Sequence, residues 1–250
     1  MLANNLKFNV NSNTHCVDLK STIIQCHNGL ITTECLFFPE LFNDGNFEFL
    51  NIKLPESLKR AVSKRKAEFL AGRYLARVAL QTMGKPFWHI PIGENREPIW
   101  PSGIIGSISH SSNIAQCIIS ENKYYQYIGL DIEHWISEND RQSIESSIIT
   151  ASSEYESLIP HLPLNKALTV IFSAKESLFK ALYKNIGEYF DFSAAQVTSG
   201  SFRQKELTLT LITDLSDTIK CGDKFKCTYT INNEHVITKI TVKKEKLSYP

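Results

Sequence analysis

No apolar run in this sequence approaches the length of a membrane span; the longest cluster, Cys35-Leu36-Phe37-Phe38, is ended by Pro39. The stretch Met1–Lys7 has no charged head followed by apolar residues, so no export signal is expected. An excess of charge of either sign is also missing. Lys plus Arg is 27 and Asp plus Glu is 26, a net charge of +1. That balance argues against a general nucleic-acid binder and against a charged disordered tail. Cysteine is sparse, at 16, 26, 35, 117, 221 and 227, with no Cys-x-x-Cys pair. A disulfide scaffold and a zinc ribbon are both excluded, and reduced thiols in a cytoplasmic protein are expected. The glycine-rich phosphate cradles and the Gly-x-Ser-x-Gly elbow of hydrolases are absent, as is any low-complexity segment.

What is present is an ordinary globular composition, 42% apolar and 21% charged, in a chain of 250 residues. Such a chain buries a sizeable core without covalent staples. Strands are expected at Val17–Ile24 and Leu30–Phe38. A helix is expected over about 56–83, where Ala67, Leu70, Ala71, Tyr74, Leu75 and Val78 recur at helical steps. Gly84 and Pro86 stop it. A Pro- and Gly-punctuated ordered loop follows over 85–103, carrying Phe87, Trp88, Ile90, Ile92 and Trp100. Strands are then expected at 104–110, 115–120 and 127–133, mixed helix and loop at 137–163, and a second long helix at about 164–184. Three more strands are expected at 207–212, 224–231 and 235–242. The order reads as α+β in two halves with a boundary near 122–126.

Three stretches could carry chemistry. In Gly129-Leu130-Asp131-Ile132-Glu133, strand alternation puts both carboxylates on one face, about 7 Å apart from two rises of ~3.3 Å. Such a pair repels itself unless a cation lies between, although two solvated acids would read the same way. In the second helix, Glu176 and Lys180 are one turn apart. They make either a surface ion pair or a third metal carboxylate beside a phosphate-seeking lysine. The third is basic: Lys59, Arg60, Lys64, Arg65, Lys66, Arg73 and Arg77 stand against one acid, Glu68. It suits either a solvated face or an anion with several phosphates. Gly106-Ser107-Ile108-Ser109-His110-Ser111 ends a strand at a turn, where sites often form.

Taken in order, these stretches resemble the 4′-phosphopantetheinyl transferases, in the large monomeric class of surfactin-type and enterobactin-synthase-type enzymes. The carriers of the resemblance are Arg65 to Arg73, Arg96-Glu97-Pro98-Ile99-Trp100-Pro101 leading into Gly106–Ser111, Gly129–Glu133, and Phe172-Ser173-Ala174-Lys175-Glu176-Ser177. The wording is most similar to the enterobactin-synthase component D type. Residues 1–55 and 190–250 carry no motif.

The resemblance implies a pseudo-dimeric α+β fold, each half a helix on a small antiparallel sheet, with the active site in the cleft between them. Residues 1–124 would hold coenzyme A's nucleotide and 125–250 the carboxylates. It implies transfer of the phosphopantetheine arm of coenzyme A to a serine of an apo peptidyl or acyl carrier protein. Siderophore or nonribosomal peptide synthesis is the expected setting. Mg²⁺ would be held by Asp131, Glu133 and Glu176. Lys180 would approach the pyrophosphate, and Glu176 could also serve as the base for the serine, directly or through water. Arg65, Arg73, Arg96, Ser109 and His110 would bind coenzyme A, with Lys175 placed among the binding residues. A monomer is expected, with no nucleic-acid partner and no membrane span. A Mg²⁺-dependent phosphotransferase on another nucleotide-linked substrate and a non-enzymatic coenzyme A binding module are the alternatives.

Overall fold

The computed structural model describes residues 15–86 and 89–244. Met1–Lys7, Phe87 and Trp88, on which expectations above fell, lie outside them. Among the described residues the first strands are β1 (Ile23–His27) and β2 (Leu30–Leu36), followed by a short helix α1 (Gly45–Phe49) and the long helix α2 (Ser63–Thr82). Strands β3 (Ile104–Ser111) and β4 (Ile114–Glu121) complete an antiparallel sheet of order β1-β2-β4-β3. The second half holds β5 (Tyr125–His134), α3 (Glu138–Ile148), α4 (Leu164–Ile186), β6 (Ala195–Ser201), β7 (Glu206–Leu211), β8 (Lys224–Ile231) and β9 (His235–Lys243). Its antiparallel sheet runs β5-β9-β8-β7-β6.

Each half is therefore one long helix on one antiparallel sheet, as expected for an α+β protein of two halves. Leu70, Leu75 and Leu80 of α2 are buried with Cys35, Ala115, Cys117 and Ile119 of the first sheet. Leu168, Ile171, Leu178 and Leu182 of α4 are buried with Leu209, Cys227, Val236 and Ile240 of the second. A smaller apolar cluster joins the halves: Ile105 and Ile118 from the first, Ile128 and Leu130 from the second. Full burial of such side chains contributes about 1.5–3 kcal/mol each.

Three local expectations are corrected. Val17–Ile24 is not one strand. Val17 makes an isolated bridge to Phe37, and the Asp18 carboxylate accepts from the backbone N–H of Lys20 and Ser21, curling Leu19–Ser21 into a 3₁₀ turn. The first long helix begins at Ser63 rather than near 56. Glu56–Leu58 closes a separate 3₁₀ turn and Val62 is extended, which leaves Lys59 and Arg60 outside the helix. Strand β6 was not expected, since Gln196-Val197-Thr198-Ser199-Gly200 offers little apolar alternation.

One close approach fixes β5 against α4, the two elements that carry the acids of the second half. Gly129 of β5 lies against α4, and a Cβ there would stand 1.9 Å from the Ser177 carbonyl oxygen and 2.8 Å from the Ala181 nitrogen. Only hydrogen fits. Gly129→Ala is expected to destabilise the protein by about 3 kcal/mol or more, because backbone rather than a flexible side chain must yield. A urea-unfolding midpoint measures it; an unchanged midpoint would show that α4 has slack.

Candidate active site between the two halves

Strand β5 carries the acids. Its alternation sends Leu130 into the apolar junction and Asp131 toward α4, where Ser173 Oγ donates to Asp131 Oδ2 at 2.8 Å. Along its other edge β5 meets β3, and serine hydroxyls stand in for ladder bonds. Leu130 N–H donates to Ser107 Oγ at 3.1 Å and Ile132 N–H to Ser109 Oγ at 3.2 Å. Ser109 in turn gives its proton to Asp131 Oδ1 at 3.1 Å. Lys180 Nζ reaches the same oxygen at 2.6 Å and Ser109 Oγ at 3.1 Å. The ion pair of Lys180 is thus with Asp131, not with Glu176 one turn away.

Asp131 is 2% exposed, while Glu133 and Glu176 are half-buried. Burial, then the neighbouring Asp131 carboxylate, pushes the Glu133 carboxyl up to about 8, with Lys180 pulling the other way. Burial also raises Glu176; Lys180 opposes it and Asp131 adds to it. These acids are short of positive charge. The donors are all carboxylate oxygens, which suit a hard divalent cation. Among the described residues, no three His, Cys, Asp or Glu side chains already surround a point that would hold an ion. The Lys180 ammonium sits on Asp131 instead.

A cleft of about 310 Å³ joins this cluster to a basic end, with Arg65, Arg73, Arg96, His110, Asp131, Glu133, Glu176 and Lys180 in its lining. Arg65 Nη1 donates to His110 Nε2 at 3.3 Å and to Glu68 Oε2 at 3.4 Å. The Nδ1 proton of His110 then faces Glu68, 3.8 Å away. Burial, offset by Glu68 and reinforced by Arg65, holds the His110 imidazole down at about 4. Its folded value lies below the unfolded one, so the neutral ring stabilises the fold above pH ~6.5 and that stability is lost as pH falls toward 4. His110→Gln is expected to flatten thermal midpoints across that window; an equally steep loss in the variant would contradict it.

The structure does not bring every expected residue to the cleft in the same way. Arg73 lines it but gives Nε to the Ile90 carbonyl at 2.8 Å and Nη2 to the Pro91 carbonyl at 3.3 Å. Its guanidinium also lies 4.6 Å from the Phe69 ring centroid, and burial lowers its pKa to about 10. It braces the loop that roofs the basic end. Arg96 sits in that loop with a positive φ of 70° and borders both this cleft and an adjoining cavity of about 760 Å³. Ser109 serves the acidic cluster rather than the basic end. Of the other basic residues, Lys59 pairs with Glu56, Lys66 pairs with Asp44, and Arg77 donates to the Leu50 carbonyl.

The structure places Lys175 elsewhere. Expected among the coenzyme A contacts, it turns away from the cleft and is 2% exposed. Its ammonium lies 2.9 Å from Glu154 and donates to the carbonyls of Ile148 at 2.7 Å and Phe192 at 3.2 Å. Glu154 also accepts from Thr150 N–H and Val197 N–H. The pair ties α4 to the end of α3 and the start of β6. Lys175→Met is expected to destabilise by about 3–5 kcal/mol, since it strands a buried carboxylate. Adding Glu154→Gln should recover part of the loss, read as a coupling in denaturant unfolding.

Sequence reasoning missed Ser107 and Ser173 as supports of the acids, and Glu68 and Glu154 as counter-ions. Ser107 and Ser109 share a strand face, and Glu68 stands three residues after Arg65, so two of these had a spacing signal. Glu154 had none.

The fold and cleft define a two-lobed α+β protein that gathers carboxylates and a lysine at one end of an interlobe site and arginines at the other. The chain belongs to the 4′-phosphopantetheinyl transferase superfamily: residues 54–120 match the family's N-terminal domain and 127–239 the superfamily domain itself. It is 39% identical over 145 residues to enterobactin synthase component D of Salmonella typhi, covering 58% of this chain and 59% of that protein. It is 44% identical over 126 residues to the Escherichia coli protein of the same name, covering 50% and 58%. It is also 28% identical over 149 residues to the 4′-phosphopantetheinyl transferase PptT of Mycobacterium tuberculosis, covering 58% and 64%. The chain thus spans under two thirds of the length of these relatives.

Proposed function

We propose that this chain is an enzyme that transfers the 4′-phosphopantetheine arm of coenzyme A to a serine hydroxyl of an apo peptidyl or acyl carrier protein. Adenosine 3′,5′-bisphosphate is the leaving group. The observation that carries the reading is one cleft with Asp131, Glu133, Glu176 and Lys180 at one end and Arg65, Arg96 and His110 at the other. A coenzyme A molecule has two anionic centres to match: a pyrophosphate where the bond breaks and a 3′-phosphate remote from it.

In this reading Asp131, Glu133 and Glu176 hold Mg²⁺, which when bound neutralises charge on the pyrophosphate oxygens. Lys180 adds its ammonium to that charge. The serine Oγ attacks the β-phosphorus, the bond from that phosphorus to the bridging oxygen breaks, and the serine proton passes to Glu176 directly or through a water. Arg65 and His110 face the 3′-phosphate, and Arg96 the nucleotide. The cavity beside Lys180, with Ile108, Phe179 and Tyr183 in its lining, offers the pantetheine arm an apolar wall. Residues 1–124 thus serve the nucleotide, and residues 125–250 serve the metal and the reacting bond.

Relatives named as a component of enterobactin synthase support carriers of siderophore or nonribosomal peptide synthesis as acceptors. Both sets of site residues come from one chain, in keeping with a monomer. Six unpaired cysteines agree with a cytoplasmic setting, and no described helix is long and apolar enough to cross a membrane. The test is mass spectrometry of apo peptidyl and apo fatty-acid carriers after incubation with coenzyme A, Mg²⁺ and this protein. A gain of one phosphopantetheine arm is expected, larger in yield on the peptidyl carrier. A folded protein that binds coenzyme A yet modifies neither carrier would leave only a binding module.

A further inference from the structure

Asp131 has both carboxylate oxygens occupied by the protein itself. Ser173 holds Oδ2 at 2.8 Å. Oδ1 is approached from two sides, by Ser109 Oγ at 3.1 Å and by Lys180 Nζ at 2.6 Å. Asp131 itself is buried, whereas the Lys180 side chain keeps 28% of its surface exposed. The serines are short and fixed by their strands and helix. Lys180 has a four-carbon stem, and it borders the larger cavity as well as the cleft. Among these three donors, it is the one that can leave.

A divalent cation on Asp131 would sit about 2.1 Å from an oxygen. An ammonium 2.6 Å from that same oxygen would then lie no more than about 5 Å from a doubly charged ion. Little solvent intervenes in a half-buried site, so the two cations exclude each other. Glu133 and Glu176 line the same cleft, and either cation would offset their charge. We propose that Lys180 is a built-in competitor of the metal. Its ammonium neutralises Asp131 in the metal-free protein and must swing off Asp131 when the ion binds, toward the cavity where a pyrophosphate would meet it. This rests on the carboxylate metal site proposed above. It adds that the metal binds weakly alone, and that a pyrophosphate-bearing substrate helps it by drawing the lysine away.

The experiment is a titration of the metal-free protein with Mn²⁺, without coenzyme A, following free Mn²⁺ by electron paramagnetic resonance. Lys180→Met keeps the stem and removes the charge, and it is expected to tighten the Mn²⁺ Kd by roughly tenfold or more. Lys180→Arg keeps the charge and should stay near wild type. Transfer activity should fall in Lys180→Met, so that tighter metal accompanies slower turnover, which simple damage to the site would not give. An unchanged or weaker Kd in Lys180→Met would overturn the proposal; should that variant fail to fold, Lys180→Gln takes its place under the same criterion. Asp131→Asn and Glu133→Gln separate the two claims. If both weaken Mn²⁺ binding while Lys180→Met fails to tighten it, only the competition is wrong. If neither weakens it, the metal site falls and the competition with it.

Discussion

Asp131→Asn is expected to lower the rate of phosphopantetheine transfer by on the order of 10²–10³ while the protein remains folded. The reason is the number of partners that converge on this one side chain. Ser109, Ser173 and Lys180 all donate to it, and each of Glu133 and Glu176 feels its charge. The asparagine keeps the shape and one acceptor. Asp131→Ala would strand two buried serine donors beside the half-buried Lys180 and add an instability of about 1–3 kcal/mol, confusing loss of fold with loss of chemistry. Glu176→Gln should cost a similar rate factor, and the double variant little more, because the carboxylates act as a unit. Steady-state kinetics at saturating Mg²⁺, with circular dichroism as the folding control, give the answer. Near-normal turnover in Asp131→Asn would remove Asp131 from the chemistry.

The acid cluster was legible in the sequence because one strand period sufficed. Leu130 and Ile132 mark the apolar face, so Asp131 and Glu133 had to share the other. The two helices were legible for the same kind of reason, a repeating apolar stripe over five turns or more. Arg73 and Lys175 were harder. Each lies in a motif, yet what each side chain touches depends on distant segments: the Ile90–Pro91 carbonyls for Arg73, a 3₁₀ turn holding Glu154 for Lys175. A lysine beside a site glutamate points roughly 100° away from it around the helix, because a residue turns the helix by that much. Glu176 faces the cleft, so its neighbour faces the core. That inference was available from the helix alone, and only the identity of the buried partner was not. The start of α2 was lost to Val62, whose extended backbone no periodicity records.

Arg65→Ala is expected to raise the KM for coenzyme A roughly ten- to a hundredfold with little change in kcat. Its guanidinium borders the cleft, 39% exposed, and is held by Glu68 and His110. A 3′-phosphate placed there is remote from the bond being broken, so its contacts contribute equally to ground and transition states. Dephospho-coenzyme A lacks that phosphate. The wild type should use it poorly, and Arg65→Ala should treat the two substrates nearly alike. Arg73→Ala should behave differently. Its Nε and Nη2 hold the Ile90 and Pro91 carbonyls, so its loss loosens the roof and penalises both substrates. Glu68 supplies a test of opposite sign. Its carboxylate competes with the phosphate for Arg65, so Glu68→Gln should lower the KM for coenzyme A and leave that for dephospho-coenzyme A unmoved. A Glu68→Gln variant that weakened both substrates equally would mean that the phosphate does not reach Arg65.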